Sequence, residues 1–471
     1  MTGSAIVVGA GPNGLAGAVR LAQAGFDVTV VESADEIGGG TRTVELIPGV
    51  RADLCSAFHP LGVGSPYLSS LRLEEYGLRW CLPEIDAAHP LDDGTAGLLY
   101  RSVHQTADGL GVDGSRWRSI FAGPARRFDA VAADALGPML RLPRHPLAFL
   151  DFGLRSLPPV TVLARAFTTP QARALFAGIA AHPFVRLDRP GSAAGGLLLT
   201  AAAHRRGWPV AQGGSSAISA ALAALLADLG GRIVTGTTIA SIAEVSADVV
   251  LLDVGPDSAT TILDGRLPRR VARAYRRHRP GPAAFKVDYV IDGEVGWTAP
   301  GLDRAGVVHL GGRIGEIVRA ENEVIAGRMP TNPFVLVGQQ WVADDTRAAG
   351  TRRPLWAYAH VPTGYTGDAT GLVTAQIERF APGFAARVVA VHRRGPADLA
   401  YENPNYRGGD IGGGPNDLWH LVARPRLSPN PYATGVPGVY LCSSSTPPGG
   451  GVHGMCGFRA AEAALRGFGG E

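Results

Sequence analysis

Three glycines near the N-terminus have the spacing of a phosphate-binding turn. Gly9, Gly11 and Gly14 follow the apolar run at residues 4–8 and open a helical stretch. Gly9 permits a tight turn, Gly11 lets the backbone approach a pyrophosphate, and Gly14 lets the helix pack closely on the strand. Free N–H groups and the helix dipole favour an anion at such a point. The spacing therefore indicates a site for a phosphorylated ligand.

An acidic residue follows this turn at the distance that a ribose requires. Residues 27–32 are typical of a second strand, and they end in Glu32. Glu32 lies about 20 residues beyond the turn, where a carboxylate can accept hydrogen bonds from ribose hydroxyls. Glycine spacing alone would be weak support. The full order of strand, turn, helix, strand and acid predicts a dinucleotide-binding unit of the α/β class.

Three histidines are the candidate acid–base groups. His59 follows the glycine segments, His360 ends a predicted strand, and His453 lies in a glycine-rich loop near the C-terminus. A buried structural histidine is the alternative interpretation of His59 and His360. For His453, contact with the cofactor is the alternative to proton transfer. Neither a Ser-His-Asp arrangement nor a carboxylate pair follows from spacing alone.

Composition and cysteine spacing exclude several function classes. The formal net charge of +3 over 471 residues does not imply nucleic acid binding. Cys55, Cys81, Cys442 and Cys456 lack the close pairing that a disulfide reductase needs. No zinc spacing is present, so no metal site is predicted. Little chain precedes the first strand, and no apolar run approaches about 18 residues, so we expect a cytoplasmic protein.

The nucleotide-binding unit is predicted to assemble from three segments. A Gly-Gly turn at Gly213 opens an amphipathic helix over residues 217–229, with strands at 232–239 and 247–253. A further strand, glycine loop and helix follow at 437–465. The predicted domains are 1–85, 205–265 and 425–471 for the dinucleotide, and 86–204 with 266–424 for the substrate.

The chain resembles the phytoene desaturase-like FAD-dependent oxidoreductases over essentially its whole length. The segments that carry the resemblance are GAGPNGL, VVESADEIGGGTRTVELIPGV, PVAQGGSSAI, AAFKVDYVIDG, LWAYAHVP and YLCSSSTPPGGGVHGMCGFRAAEAAL. Within the family it is similar to the branch of pyridine nucleotide-disulfide oxidoreductase domain-containing protein 2. The resemblance implies a Rossmann-type, glutathione-reductase-like and amine-oxidase-like FAD domain with a mixed α+β substrate domain. The pair Gly38–Gly39 after Glu32 favours FAD over NAD, because flavoproteins of this kind carry such a pair there.

The resemblance also implies which residues contact FAD. The predicted contacts are Gly9, Gly11, Pro12, Asn13 and Gly14 at the pyrophosphate, Glu32 and Ser33 at the ribose, Gly39, Gly40 and Thr41 beneath the phosphates, Ile239 at the adenine, and Ser443, Gly450, Gly451, Val452 and His453 near the ribityl chain and isoalloxazine. Amine oxidases often carry Arg where this chain has Gly40. We therefore expect backbone amides to meet the phosphate charge.

The implied reaction is the oxidation of a hydrophobic substrate by flavin, with isoprenoids and polyenes as candidate classes. Two alternatives remain open: a redox-neutral isomerase that uses reduced flavin, and a flavin-containing scaffold without turnover. The turn at 311–315 lacks a full second dinucleotide fingerprint, so oxygen or a quinone is the expected electron acceptor. The interrupted apolar stretch 136–167 is predicted to form a lid over the pocket or to contact a membrane surface peripherally. The oligomeric state is left open.

Overall fold

Two β-sheets organise the protein, which a computed structural model describes over residues 3–469. The strands are β1 (Ser4–Val8), β2 (Asp27–Val31), β3 (Thr43–Ile47), β4 (Val50–Asp53), β5 (Trp80–Cys81), β6 (Ile85–Pro90), β7 (Ala96–Leu99), β8 (Val210–Ala211), β9 (Arg232–Val234), β10 (Val249–Leu252), β11 (Ala283–Asp292), β12 (Ala305–Leu310), β13 (Val335–Gly338), β14 (Arg352–Val361), β15 (Val388–Arg394) and β16 (Val439–Leu441).

Helices cover both sheets. The α-helices are α1 (Pro12–Gln23), α2 (Pro60–Val63), α3 (Val103–Gly109), α4 (Gly114–Arg126), α5 (Phe128–Ala135), α6 (Pro146–Ser156), α7 (Val160–Leu163), α8 (Pro170–Ala181), α9 (Ala193–Arg206), α10 (Ser216–Asp228), α11 (Pro256–Ile262), α12 (Arg269–Arg277), α13 (Ile314–Ile325), α14 (Thr370–Phe380), α15 (Pro396–Glu402), α16 (Leu418–Val422) and α17 (Met455–Phe468).

The first sheet is the predicted Rossmann-type layer. Its strands run parallel in the order β16-β10-β1-β2-β9. Helices α1, α10 and α17 close one core with Val7, Leu15 and Leu222. Leu252 and Leu263 belong to a second core that includes α11 and α12. Burial on both faces explains the unbroken apolar runs of β1 and β10. These strands come from the three segments assigned to the dinucleotide.

The second sheet is mixed and is longer. Its order is β15-β11-β14-β13-β12-β6-β7, antiparallel except where β12 pairs with β6. A helical layer packs on one face, where Trp117 and Phe176 share a core with Leu336. Tyr289 and Phe380 lie in a separate core that includes α14. The mixed α+β character agrees with the expected substrate domain.

Two parts of the chain differ from the sequence predictions. Helix α12 falls in the segment 266–424, yet Val271 and Tyr275 pack in the core of the first sheet. The apolar pattern of a helix reports which face is buried, but it does not say which sheet that face covers. The strand predicted over 232–239 ends at Val234, because Gly236 turns the chain at φ 64 and donates its N–H to the Ala34 carbonyl.

One apolar region stands out by exposure rather than by burial. Among the described helices, none is both long and apolar enough to span a membrane alone. The pair 146–156 and 160–166 passes that length and composition test only jointly, with a bend of 86° between its halves. This pair lies within the stretch predicted to be a lid.

Candidate cofactor and substrate site

A cavity of about 1260 Å³ is bounded by residues of both sheets. Pockets for one small ligand are typically about 300–1,000 Å³. The cavity begins beside the carboxyl ends of β1, β2 and β10 and continues to α6, α9 and β14. It is therefore larger than a typical pocket for one small ligand.

The glycine turn at the start of the cavity depends on close backbone approach. Gly9 has φ 106, and a Cβ on Gly14 would lie 2.1 Å from the Gly9 carbonyl oxygen. A Cβ on Gly39 would lie 3.3 Å from the Gly11 Cα. Gly9 and Gly14 therefore form the turn itself, whereas Gly11 and Gly39 bring two loops together on the cavity wall. Pro12 and Asn13 line the same wall, and Gly14 does not.

Glu32 holds the turn and still borders the cavity. Its Oε2 accepts the Ala10 N–H at 2.7 Å, and its Oε1 accepts the Ala34 N–H at 2.9 Å. The Ser33 hydroxyl donates to the same Oε1 at 3.3 Å. Glu32 is 8% exposed, and both Glu32 and Ser33 line the cavity together with Ile239. The carboxylate is thus fixed in position, with acceptor capacity left for a ribose.

Asp253 is a site residue that sequence reasoning missed. It follows β10, and its Oδ2 accepts the Gly14 N–H at 2.9 Å. Burial raises the pKa of this carboxyl to about 7, and the nearby charge of Glu32 adds to the rise. Ligands of parallel α/β sheets bind at the carboxyl ends of the strands. That rule would have identified Asp253 once β10 was placed beside β1.

The second glycine cluster lies beside two side chains that also line the cavity, Tyr406 and Arg42. A Cβ on Gly40 would lie 2.1 Å from the Tyr406 hydroxyl, so that hydroxyl occupies the space of a side chain. Arg42 lines the cavity two residues later; its Nε lies 3.7 Å from Glu36 Oε1 and makes no hydrogen bond within residues 3–469. A guanidinium is therefore present on this wall in addition to the backbone amides. The signal was present in the sequence as the Arg of GGGTR.

The C-terminal glycine loop brings a histidine to the cavity. Gly450, Gly451, Val452 and His453 all line it. His453 Nδ1 accepts the Met455 N–H at 3.1 Å, so the ring proton lies on Nε2. Burial lowers the pKa of His453 to about 4, which keeps the ring neutral near pH 7. His453 thus presents a hydrogen-bond donor at the cavity wall.

His59 is a hydrogen-bond acceptor at the cavity wall, whereas His453 is a donor. Its Nε2 lies 2.8 Å from the Ser215 hydroxyl, which itself donates to the Ser56 carbonyl at 2.7 Å. The hydroxyl must therefore accept from His59, so Nε2 carries the proton and Nδ1 is an acceptor. Burial lowers the pKa of His59 to about 4. The ring lines the cavity as a neutral base.

Besides Gly14, three predicted site residues do not border the cavity: Thr41, Ser443 and His360. The Thr41 hydroxyl donates to the Gly38 carbonyl at 2.8 Å, and Ser443 is buried. His360 pairs with Glu321 at 2.7 Å between Nδ1 and Oε1, with both side chains fully buried. The His360 ring also stacks on Phe184, with centroids 3.8 Å apart. These contacts match the structural interpretation of His360.

The polar end of the cavity meets the requirements of a bound dinucleotide. Four buried polar atoms on its wall have no hydrogen-bond partner among the described residues: Asn13 Oδ1, Arg42 Nε, His59 Nδ1 and His453 Nε2. Buried polar atoms are rarely left unpaired in proteins. Donors and acceptors along one wall fit a ligand that carries phosphates, hydroxyls and a polar ring, as FAD does.

The far end of the cavity is an apolar arm. It is lined by Leu136, Met139, Phe149, Phe152, Leu157, Phe184, Val185, Leu198, Leu199, Trp208, Val307, Leu336, Trp356, Tyr358 and Ile411. Several of these residues come from the stretch 136–167, which therefore lines this end of the cavity. Such a surface suits a hydrophobic substrate.

The cysteines form no redox pair. All four are free thiols. The buried Cys456 thiol donates to the Thr446 and Gly449 carbonyls at 3.5 and 3.6 Å. Cys55 borders the cavity without a second cysteine on the wall formed by residues 3–469.

Comparison with known proteins gives the same fold and finds relatives among flavin oxidoreductases. A family model described as an NAD(P)-binding Rossmann-like domain matches residues 7–71. Pyridine nucleotide-disulfide oxidoreductase domain-containing protein 2 of Mus musculus is 26% identical over 549 residues, covering 98% of this chain and 93% of that protein. Hydroxyneurosporene desaturase of Cereibacter sphaeroides is 31% identical over 264 residues, covering 50% of each chain.

Solved structures share the architecture. An oxidoreductase from Methanosarcina mazei superposes with a TM-score of 0.64 at 15% identity, covering 98% of this chain and 100% of that one. Putrescine oxidase superposes with a TM-score of 0.58 at 19% identity, covering 99% of both chains. At such identities the structural likeness establishes the fold alone.

Proposed function

We propose, on the premise that the chain belongs to the phytoene desaturase-like FAD-dependent oxidoreductases, that it oxidises a hydrophobic molecule held in the apolar arm. The observation that carries the proposal is the continuity of the cavity. One wall runs from the glycine turn at Gly11, past His59 and His453, to the aromatic side chains at Trp356 and Tyr358. A substrate in the arm would therefore lie next to the cofactor.

FAD would be held along the polar end. Gly11 and Gly39 leave space for the pyrophosphate, Arg42 supplies positive charge, and Glu32 receives the ribose hydroxyls. Gly451 and His453 border the part of the cavity nearer the arm. When bound, FAD supplies the capacity to accept a hydride or single electrons.

We assign the proton-accepting role to His59. Removal of a hydride from a substrate leaves a proton to be taken up, and a neutral base must form the new N–H bond. His59 Nδ1 is such an acceptor, because Ser215 fixes the ring proton on Nε2. His453 Nε2–H is the donor on the same cavity wall. The apolar walls exclude water, so a proton would pass to the positioned base rather than to solvent.

Isoprenoids and polyenes are the substrate classes that we propose. The apolar arm supports this class by its chemistry. Relatives named hydroxyneurosporene desaturase and phytoene desaturase also support it, the latter from Neurospora crassa with 52% identity over 50 residues. For the electron acceptor we propose oxygen or a quinone.

We also propose that the protein is cytoplasmic and rests peripherally on a membrane. Helix α6 turns Phe149 and Phe152 toward the cavity. On its other side Leu147, Leu150 and Leu154 are 80%, 59% and 61% exposed. A helix that is apolar on both sides and borders an apolar cavity suits a surface from which a hydrophobic substrate enters.

The decisive experiment identifies the bound molecules and follows the flavin. The purified protein is expected to carry one noncovalent FAD, released by acid precipitation into the supernatant. Small molecules extracted from it are then added back without oxygen. We expect the absorbance of oxidised flavin to be lost. It should return when oxygen or a quinone is added.

Two results would contradict the proposal. Turnover that needs prior reduction by dithionite and leaves the flavin reduced would indicate the redox-neutral isomerase. A protein that binds FAD and a partner, yet shows no flavin reduction with any extracted molecule, would indicate the scaffold.

A further inference from the structure

We propose that a buried cluster of charged side chains positions His59 and stabilises the cation that it becomes. The cluster consists of Asp53, Asp344 and Arg347, and it contacts His59 through Ser215. This inference rests on the proposed function, in which His59 takes up the substrate proton. Neither the cluster nor Ser215 borders the cavity, so these residues act on the substrate only through His59.

Arg347 joins the two acids of the cluster. Its Nη1 donates to Asp53 Oδ2 at 2.9 Å, and its Nε donates to Asp344 Oδ2 at 2.9 Å. Its Nη2 donates to the Ala211 carbonyl, also at 2.9 Å. The exposed fraction of each of the three charged side chains is at most 1%. Burial alone would lower the pKa of Arg347, but the two carboxylates raise it above its ordinary value.

The cluster has a net negative charge. Each of its four carboxylate oxygens accepts a hydrogen bond from a neighbouring group. Besides Arg347, the donors are the Ser215 and Gly213 N–H groups, each at 2.7 Å, and the Thr43 and Thr346 hydroxyls at 2.9 and 2.6 Å. A protonated carboxyl would set its own donor against one of these donors, so both acids are ionised. Two negative charges therefore face one positive charge.

Ser215 connects the cluster to His59. Asp53 holds the Ser215 N–H, and the Ser215 hydroxyl donates to the Ser56 carbonyl at 2.7 Å. That hydroxyl therefore accepts from His59 Nε2, which lies 2.8 Å away. His59 Nδ1 remains an acceptor, without a partner among the described residues. Because Ser215 fixes the ring, the contacts that hold Ser215 also hold the base.

Proton uptake places a positive charge on this buried ring. The substrate loses a hydride to FAD and a proton to His59, where the new N–H bond forms at Nδ1. The hydrogen bond from Nε2 to Ser215 stays intact. Burial lowers the pKa of His59 to about 4, Asp53 raises it, and Arg347 lowers it by less than Asp53 raises it. The cluster as a whole therefore stabilises the cation against the cost of burial.

The first test measures the tautomer of His59. Histidine is labelled with ¹⁵N in the FAD-loaded protein without substrate, and His59 is assigned by its loss in His59→Gln. The wild type should show a protonated Nε2. Ser215→Ala is expected to lower the ratio of the Nε2–H to the Nδ1–H tautomer by about 3- to 10-fold, the range of one lost hydrogen bond. Ser219→Ala removes another buried hydroxyl, which lies 2.6 Å from the Thr41 hydroxyl, and should leave the ratio unchanged.

The second test separates charge from packing. Asp53→Asn removes the negative charge bonded to Ser215. Arg347→Gln combined with Asp344→Asn removes the positive charge, while the net charge of the cluster stays negative. The pKa of His59, read from ¹⁵N shifts, should fall in Asp53→Asn and rise by about one unit in the double variant. A role in packing alone would not give shifts of opposite sign.

An unchanged tautomer ratio in Ser215→Ala would overturn the inference. So would a His59 pKa that stays the same or falls in the double variant, a result that decides the question even if Asp53→Asn does not fold. Neither measurement needs a substrate. A wild type that shows no flavin reduction with any extracted molecule would instead remove the proposed function.

Discussion

At the scale of single residues, two acidic side chains at the polar end of the cavity accept hydrogen bonds from backbone N–H groups. Glu32 accepts from Ala10 and Ala34, and Asp253 accepts from Gly14. Hydrogen bonds to a charged acceptor contribute more than neutral ones, about 1.5–3 kcal/mol each. These two acids therefore position the turn as well as border the cofactor.

Replacement of Glu32 tests this double role. Glu32→Ala is expected to weaken FAD binding by about 1–3 kcal/mol, since ribose donors and two backbone N–H groups lose their acceptor. Glu32→Gln should cost less, because its amide oxygen still accepts. Apoprotein titrated with FAD, followed by flavin fluorescence, measures both. Glu74→Ala, at an exposed position away from the cavity, is the control. Unchanged FAD affinity in Glu32→Ala would show that the acid does not hold the ribose.

Asp253 predicts a pH dependence. Its pKa of about 7 in the folded protein lies above the ordinary value of 3.8, because the carboxyl is buried and Glu32 is near. The folded state then binds more protons than the unfolded chain between those values, so the stability from this group falls as the pH rises through that window. Anionic FAD beside it should favour the protonated form further.

FAD affinity should therefore fall as the pH rises above 7. For each unit by which bound FAD raises the pKa of Asp253, the affinity should fall by up to about tenfold. Asp253→Asn keeps an acceptor for the Gly14 N–H. This variant should flatten the pH dependence of folding stability and that of FAD affinity. FAD titrations and urea unfolding across this range provide the measurement. A wild-type affinity that rises with pH would have the wrong sign for this mechanism.

At the scale of elements, helix α6 has one side beside the cavity and another that is exposed. Phe152 is buried beside the cavity, whereas Leu147 on the other side is 80% exposed. Burial of a leucine side chain contributes about 1.5–3 kcal/mol, so a row of exposed leucines is costly unless something covers it. A lipid surface is the cover that we propose.

Charge on the outer face of α6 should therefore weaken membrane binding. Leu150→Asp with Leu154→Asp is expected to lower the fraction that sediments with phosphatidylcholine–phosphatidylserine vesicles by at least about tenfold, from the lost apolar burial. FAD content should not change. Val112→Asp, at a 75% exposed position outside this helix, is the matched control. Equal sedimentation of the double variant and the wild type would exclude α6 as the contact.

At the scale of the whole molecule, one cavity joins the cofactor end to the substrate end. The only dinucleotide fingerprint that we find in the sequence is the one at Gly9–Gly14. The turn at Gly312 instead precedes helix α13, and its carbonyl accepts from His89. The described residues thus contain no second turn of the kind that binds a nicotinamide cofactor.

NADH and NADPH should consequently reduce the flavin slowly or not at all. Anaerobic stopped-flow at the flavin absorbance is the measurement, with the extracted substrate as the positive control. Rates below about 1 per second, the low end of typical turnover, are expected. Saturable reduction by either nucleotide above that rate would place a nicotinamide site in the substrate domain and contradict this assignment.

The sequence by itself determined the dinucleotide unit. Glycines at 9, 11 and 14 and the acid at 32 are local signals, because turn geometry and strand length fix their separation along the chain. Ile239, Gly450 and His453 could be assigned through resemblance, and the structure places all three on the cavity wall. The FAD domain and the mixed second domain were therefore predictable from the chain.

The tertiary structure alone decided which distant residues meet. Asp253 reaches Gly14 across 239 positions, and His182 meets His309 across 127. His360 was separated from the cavity by its pairing with Glu321, and α12 was assigned to the first sheet by its packing. Sequence periodicity reports which face of an element is apolar, but it does not report the element against which that face packs. Proton positions on buried histidines depend on those packing partners, so they follow only from the folded arrangement.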